Sequence, residues 1–244
     1  MIVGHRGAAA YAPENTMASF EKAHELGVDM VELDVHLSAD GRCVVIHDET
    51  VEGTTDGHGL VGALTYDELR ELNAGNGQSV PELGEVLTWA QDVDLPLSIE
   101  LKQPNLCMLS PYVGLVEAVL DLVDRHGMLD RVLVHSYHHP SILQVKQLRP
   151  EVLTAISWDG ADFLDVTLPA REVRADGVHH EWRSTSPEAV AQAHAAGLHI
   201  QGGGIPDGRD DIVRALIRNG VDTIDGDAPD HLRSIVEDEL HALD

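Results

Sequence analysis

Eight short runs of β-branched and other apolar residues alternate along this chain with longer amphipathic stretches. This alternation is typical of βα units, in which helical crossovers join parallel strands. In a chain of 244 residues, eight such units predict a single (β/α)8 barrel, the TIM barrel of the α/β class. The predicted strands are residues 1–4, 30–35, 95–101, 131–135, 152–156, 175–178, 198–201 and 222–224, and the predicted helices are residues 13–26, 81–93, 112–126, 140–148, 187–196, 209–219 and 229–240.

The turn after the first predicted strand argues against the main alternative, a doubly wound open sheet. That fold usually carries a G-x-G-x-x-G turn at this position, whereas the chain reads Gly4-His5-Arg6-Gly7. Residues 48–80 do not fit a plain βα unit, because they contain a Gly- and Thr-rich stretch and a short helical pattern near residues 66–72. We expect this excursion to lie at the barrel mouth without a core of its own, so that residues 1–244 form one domain.

The charge balance excludes one class of partner. The chain carries 16 basic and 42 acidic side chains, which gives a formal net charge of −26. A chain this acidic, with no basic run, cannot neutralise many phosphates, so we expect no nucleic-acid partner. The acidic residues are spread over the whole chain, which is typical of a halophilic protein whose self-repulsion is screened by salt. The alternative is an acidic protein from an ordinary cytosol.

The sequence gives no sign of export or of membrane insertion. It opens without a basic segment followed by an apolar one, and no apolar run approaches the ~18 residues that a membrane-spanning helix needs. Cys43 and Cys107 form no C-x-x-C pair, so no disulfide framework is predicted. We therefore expect a cytoplasmic protein with no stable membrane insertion. Its oligomeric state is left open.

Acidic side chains end two of the predicted strands. Glu32 and Asp34 are two residues apart, so one strand directs both to the same face, and Glu100 ends the next barrel strand. In a TIM barrel the carboxyl ends of the strands form the active face. Three converging carboxylates would make an all-oxygen site, which hard cations such as Mg²⁺ or Ca²⁺ prefer. An exposed edge strand is the alternative reading of Glu32 and Asp34.

Basic and imidazole side chains lie at the same strand ends. His5 and His47 offer two imidazoles that exchange protons near neutral pH, as general acid-base cleavage of a phosphoester requires. Arg6 and Lys102 offer positive charge for phosphate oxygens. Taken singly, His47 could be a structural histidine and Arg6 an ion-pair partner. Together, these residues predict phosphodiester cleavage.

In their order along the chain, these residues resemble the glycerophosphodiester phosphodiesterase family. The matching motifs are H-R-G at residues 5–7, P-E-N-T at 13–16, E-L-D-V at 32–35, D-G-x-x-V-V-x-H-D at 40–48, I-E-x-K at 99–102, and G-V-D followed by D-x-P at 220–222 and 227–229. The first half of the match is highly specific, because five motifs occur in a fixed order. The second half of the chain contains fewer matching motifs.

The resemblance implies a TIM-barrel enzyme that hydrolyses glycerophosphodiesters, such as glycerophosphocholine or glycerophosphoethanolamine, to glycerol phosphate and an alcohol. It also implies site roles. The residues that match Glu32, Asp34 and Glu100 would hold one divalent cation, Mg²⁺ or Ca²⁺. Those that match His5 and His47 would be the acid-base pair, and those that match Arg6 and Lys102 would face the phosphate. Which histidine is the acid stays open.

The chain departs from the family pattern on the seventh barrel strand. Many members carry Trp-Thr there, whereas residues 200–204 read Ile-Gln-Gly-Gly-Gly, which leaves the alcohol specificity open. Among residues near late strand ends, His135, His179 and Trp182 are candidates to line the pocket, with core or surface packing as the alternative.

Two other functions stay open at this level. One is a phospholipase, or a phosphodiester lyase that releases a cyclic phosphate, on the same barrel. The other is a protein that binds a phosphorylated metabolite without turnover. In each case the expected ligand is a small phosphodiester or phosphometabolite.

Overall fold

Eight parallel strands close into a barrel in the computed structural model, which describes residues 1–103, 112–158, 165, 167–206 and 208–243. The strands are β1 (Ile2–Gly4), β2 (Met30–Leu37), β3 (Cys43–Val45), β4 (Leu97–Leu101), β5 (Val132–Ser136), β6 (Leu153–Trp158), β7 (Gly177–Glu181), β8 (His199–Gly203) and β9 (Thr223–Gly226). The sheet closes because β1 pairs with both β2 and β9, while β3 is antiparallel to β2 and lies outside the barrel. The predicted TIM barrel is confirmed.

A helix lies in every connection between consecutive barrel strands. The helices are α1 (Met17–Glu25), α2 (Tyr66–Glu71), α3 (Leu83–Asp92), α4 (Leu115–Arg125), α5 (His139–Leu148), α6 (Leu168–Val173), α7 (Pro187–Ala195), α8 (Asp210–Asn219) and α9 (Pro229–Leu243). The sequence did not predict α6, because six residues are too few to show a helical period. Helix α1 begins four residues later than predicted, since Thr16 caps its first turn by accepting from the Ser19 N–H.

Strand residues alternate between an apolar outer face and a polar inner face. On β2, Val31, Leu33 and Val35 belong to the main hydrophobic core between the strands and the helices, while Glu32 and Asp34 are buried on the opposite face. TIM-barrel interiors are usually filled by branched apolar side chains. Here the layer of side chains nearest the carboxyl ends of the strands is polar, which marks this end as the functional one. That layer includes His135, Ser157, His179, Gln201 and Asp225.

The excursion at residues 48–80 packs, together with Val44 and Ile46, around a small hydrophobic cluster. We expected no separate core there, and this expectation is wrong: eight buried side chains form a cluster distinct from the main core. The sequence hid this because its apolar residues are dispersed between turns. At the start of the excursion, Asp48, Glu49 and Thr50 line a cavity beside the carboxyl end of β4. The clustered residues are Val44, Ile46, Val51, Val61, Tyr66, Leu69, Ala74 and Val80.

Within the described ranges, no helix combines the length and the apolar character needed to cross a bilayer. Cys43 is buried and carries a free thiol. Cys107 lies outside the described residues.

Candidate active site

Two adjoining cavities open at the carboxyl ends of the barrel strands. The inner cavity has a volume of about 240 Å³, and the outer cavity has a volume of about 580 Å³. The predicted catalytic, phosphate-binding and metal-binding side chains, except Asp34, line the inner cavity. The walls shared by both cavities are His47, Glu100, Lys102 and Tyr137.

Glu32 and Glu100 meet a histidine at the floor of the inner cavity. One potential ligand atom from each of Glu32, Glu100 and His135 lies within 4.8 Å of the other two, and all three residues are buried. Glu32 Oε1 is 3.9 Å from His135 Nε2. Two carboxylates and an imidazole at these separations could hold a metal ion.

Asp34 is adjacent to this group but has other partners. Its Oδ2 accepts from Asn15 Nδ2 at 2.7 Å and lies 3.6 Å from Arg6 Nε. Lys102 Nζ bridges Asp34 Oδ1, at 3.2 Å, and Glu100 Oε1, at 2.9 Å. The three predicted metal-binding carboxylates are therefore neighbours, and Lys102 connects two of them.

Burial, mutual repulsion and nearby cations give the three carboxyl groups different pKa values. Burial, reinforced by the charge of Asp34, raises the pKa of Glu32 to about 8. Burial also raises the pKa of Glu100 to about 7, although Lys102 opposes this shift. Burial would raise the pKa of Asp34 too, but the nearby cations, first among them Lys102, hold it well below its usual range. Such a concentration of buried carboxyl groups favours binding of a cation, which would compensate their charge.

Each predicted catalytic histidine is anchored by a carboxylate. His5 Nδ1 is 2.7 Å from Asp227 Oδ1, and His47 Nδ1 is 2.7 Å from Asp48 Oδ1. With Nδ1 engaged, Nε2 is the ring nitrogen that each residue can offer to the inner cavity, which both line.

The electrostatic surroundings of the two imidazoles differ. Burial opposes a charge on His5, but the hydrogen bond to Asp227 and the carboxylates of Glu32 and Asp225 outweigh it and raise the pKa of His5 to about 10. The pKa of His47 is lowered, chiefly by burial and also by Lys102 and Arg6, although Asp34 opposes that shift. His5 therefore carries a proton more readily than His47.

The turn after β1 holds Arg6 in a strained conformation beside the carboxylates. Arg6 has φ +51°, and its backbone N–H donates to Glu32 Oε2 at 2.9 Å. Its carbonyl oxygen accepts from the backbone N–H of Asn15 at 3.1 Å and from Ser19 Oγ at 2.8 Å. The guanidinium pairs with Glu14 at 2.8 Å. The H-R-G and P-E-N-T motifs thus form one interlocked unit around Glu32 and Asp34.

Several residues that position others were not predicted from the sequence. Asn15 fixes Asp34 through two hydrogen bonds: Nδ2 donates to the carboxylate, and Oδ1 accepts from the Asp34 N–H at 3.3 Å. Asp227 anchors His5. Both lie in motifs recognised in the sequence, so a signal existed, but a motif does not say which side chain touches which. Ser157, whose Oγ is 2.9 Å from His135 Nδ1, carried no such signal.

Replacing Asn15 with Ala is expected to lower the free energy of unfolding by about 2 to 4 kcal/mol, because Asp34 loses a buried donor and φ +55° disfavours a side chain without local hydrogen bonds. Denaturant unfolding measures this change. Asn15→Gly is the matched control, since it loses the same hydrogen bonds but tolerates the backbone, and it should be more stable than the Ala variant by about 1 kcal/mol. Two variants as stable as the unmodified protein would contradict this role.

The predicted pocket-lining residues separate into two groups. His135 and His179 line the inner cavity, with ring centroids 4.7 Å apart. Trp182 is not among the described walls of either cavity. It lies in a short 3-10 turn after β7 and packs against a cluster that includes Ile212 and Leu216, under the Arg183 guanidinium.

A glutamine stands on the strand where the family pattern has an aromatic residue, and it pairs with an aspartate of the next strand. Gln201 Nε2, on β8, donates to Asp225 Oδ2, on β9, at 3.0 Å, and Gly203 leaves room for Asp225. A Cβ on Gly203 would lie 2.7 Å from Asp225 Oδ1, closer than van der Waals contact allows. This side of the cavity is therefore hydrophilic.

Comparison with known proteins gives one consistent result. The model of the Glycerophosphoryl diester phosphodiesterase family matches residues 5–231. A glycerophosphodiester phosphodiesterase of Caldanaerobacter subterraneus subsp. tengcongensis is 32% identical, over 97% of both chains. A solved phosphodiesterase of Oleispira antarctica, in complex with the product sn-glycerol-3-phosphate, is 27% identical with a TM-score of 0.87, over 97% of this chain and 96% of that one. A solved glycerophosphodiester phosphodiesterase of Agrobacterium tumefaciens is 30% identical with a TM-score of 0.80, over 96% of this chain and 98% of that one.

Proposed function

Because the chain belongs to the glycerophosphoryl diester phosphodiesterase family and is a glycerophosphodiester phosphodiesterase, we propose that one divalent cation and two histidines carry out its reaction. The substrates we propose are small glycerophosphodiesters such as glycerophosphocholine or glycerophosphoethanolamine, and the products are glycerol phosphate and the free alcohol. One observation carries the proposal: two carboxylate-anchored imidazoles line the same cavity as Glu32 and Glu100.

The residues at the cavity floor fit a divalent cation. Glu32 and Glu100 are buried close together, and the nearby Nε2 of His135 is a buried polar atom without a hydrogen-bond partner in the described part of the chain. Glu32, Asp34 and Glu100 are the carboxylates that would hold the ion, and three carboxylates by themselves suit Mg²⁺ or Ca²⁺. When bound, a divalent cation supplies charge that stabilises the phosphoryl oxygens.

Arg6 and Lys102 are placed to bind the phosphodiester. They are the Arg and Lys side chains among the described walls of the inner cavity. Both lie against Asp34, so a bound phosphate would share their charge with that carboxylate. Arg6 offers a planar fork to two oxygens, and Lys102 offers a compact positive charge.

Proton transfer is assigned to the two histidines. His47, the less basic imidazole, takes the proton from the attacking hydroxyl, which belongs either to water or to the neighbouring glycerol carbon. As that oxygen bonds to phosphorus, the bond from phosphorus to the alcohol oxygen breaks. His5, kept protonated by Asp227, gives its proton to the leaving oxygen. When the glycerol hydroxyl is the attacking group, this step gives a cyclic phosphate. Water then opens the ring, with the two histidines in exchanged roles, and glycerol phosphate is released.

Phosphorus NMR of a panel of glycerophosphodiesters tests this function. We expect conversion of glycerophosphocholine or glycerophosphoethanolamine to glycerol phosphate, abolished by a chelator and restored by a divalent cation. A cyclic phosphate that persists as the end product would instead identify a lyase. Binding of the panel without turnover would identify a non-catalytic binder. Undiminished cleavage after complete metal removal would overturn the metal role.

The distribution of acidic residues supports a further proposal, that the protein works in a salty cytosol. Raising KCl from 0.1 to 1 M shortens the Debye length from about 10 to about 3 Å and screens the self-repulsion of a net charge of −26. We expect the melting temperature at pH 7 to rise by about 5 °C or more. At pH 5, close to the sequence pI of about 4.7, the rise should be less than half as large. An equal rise in melting temperature at both pH values would contradict the proposal that the acidic residues adapt the protein to salt.

A further inference from the structure

His135 has a buried ring nitrogen that the hydrogen bonds of the described residues leave unsatisfied. The residue is 5% exposed, and Ser157 Oγ lies 2.9 Å from its Nδ1. Nε2 has no hydrogen-bond partner within the described part of the chain. A buried polar atom without a partner costs about 1–3 kcal/mol, so its retention calls for an explanation.

The nearest acidic atom to Nε2 is a metal-site oxygen. Glu32 Oε1 lies 3.9 Å away, too far for a hydrogen bond. Two ligand atoms each about 2.1 Å from one ion can be up to about 4.2 Å apart, so an ion fits between this pair. Glu100 contributes an atom within 4.8 Å of both, close enough to become a third ligand after a small side-chain adjustment. Glu32 Oε1 and His135 Nε2 thus point to one position between them.

The other partners of Glu32 and His135 leave these atoms available. The Arg6 N–H occupies Glu32 Oε2, which leaves Oε1 on the side of His135. Ser157 orients His135 through Nδ1, an outer contact of the kind that orients metal-binding imidazoles.

We propose that His135 is a direct ligand of the divalent cation, beside Glu32 and Glu100. The inference rests on the cation in the proposed function. It makes the site a mixed site of oxygen and nitrogen ligands instead of an all-oxygen site. An imidazole nitrogen favours first-row transition metals, whereas Mg²⁺ and Ca²⁺ prefer oxygen ligands alone. The protein should therefore select Mn²⁺ over Mg²⁺ more strongly than a carboxylate site does.

Pulsed electron paramagnetic resonance of Mn²⁺-loaded protein tests this contact directly. The unmodified protein should show ¹⁴N coupling to Mn²⁺, and His135→Gln should lose it. His179→Gln is the matched control, because it removes a neighbouring buried imidazole that is outside the group of three ligand residues. This variant should keep the coupling.

Calorimetric titration of metal-free protein gives a second readout. His135→Gln should lower the affinity for Mn²⁺ about tenfold and the affinity for Mg²⁺ less than threefold, so that the selectivity ratio falls. His179→Gln should keep the ratio within about twofold.

Absence of ¹⁴N coupling in the unmodified protein would overturn the inference, whether or not the variants fold. An unchanged selectivity ratio in folded His135→Gln would overturn it as well. Either result, found together with chelator-sensitive cleavage, leaves the proposed function standing. Conversely, ¹⁴N coupling in a protein that cleaves no glycerophosphodiester supports His135 as a ligand while contradicting the proposed function.

Discussion

His5→Ala is expected to lower kcat for glycerophosphodiester cleavage by about a thousandfold, because the leaving alkoxide loses its proton donor. His47→Ala should have an effect of similar size, since the attacking hydroxyl loses its proton acceptor. Both rings are anchored by carboxylates at 2.7 Å, so the two proton transfers use pre-oriented groups. Steady-state rates on the best substrate of the panel, with the cation saturating, measure both effects.

A matched control separates chemistry from folding. His58→Ala removes an imidazole that is 89% exposed and should leave kcat within about twofold. Combining His5→Ala with His47→Ala should cost much less than the product of the single effects, because residues that act as a unit are not additive. A loss of less than tenfold in either single variant, in folded protein, would contradict its assigned role.

Glu32→Gln is expected to abolish cation-dependent activity, lowering kcat at least about a thousandfold, and yet to stabilise the metal-free protein. The variant keeps an oxygen that can accept from the Arg6 N–H, but it offers no negative charge to the cation. Burial raises the pKa of Glu32 from 4.5 to about 8. A carboxyl group whose pKa rises on folding stabilises the fold less as pH rises from its unfolded pKa to its folded one.

The gain in stability of Glu32→Gln over the unmodified metal-free protein should therefore be small below pH 4.5. It should grow to about 4 to 5 kcal/mol by pH 8 and then level off. Denaturant unfolding at several pH values measures the trend. Glu21→Gln, on an exposed position of α1, should show neither the gain nor the loss of activity. A metal-free Glu32→Gln protein less stable than the unmodified one at pH 8 would contradict the view that the site trades stability for cation binding.

The barrel was predictable because its signal is repeated and local. The two-residue period of a strand is visible at residues such as Leu33, an apolar residue between Glu32 and Asp34. Residues at or just after the strand ends form most of the walls of the inner cavity. The family resemblance then assigned roles to residues that spacing alone leaves ambiguous. Helix α6 was missed because its six residues carry too little pattern.

Contacts between distant segments were not predictable from the sequence. His135 and Ser157 lie on different strands, and only the barrel closure and strand register place Ser157 Oγ on one ring nitrogen and Glu32 on the side of the other. The packing of Trp182 against Ile212 and Leu216 likewise depends on contacts between segments that no periodicity encodes. Polar residues inside a barrel are satisfied by partners far along the chain, so their roles appear only in three dimensions.

Anomalous diffraction from crystals loaded with Mn²⁺ and sn-glycerol 3-phosphate would locate the cation and the phosphate together. We expect one manganese peak at ligand distance from Glu32 and Glu100, with the phosphate within reach of Arg6 or Lys102 and the two imidazoles beside it. A manganese peak elsewhere, or a phosphate bound away from His5 and His47, would contradict this expectation.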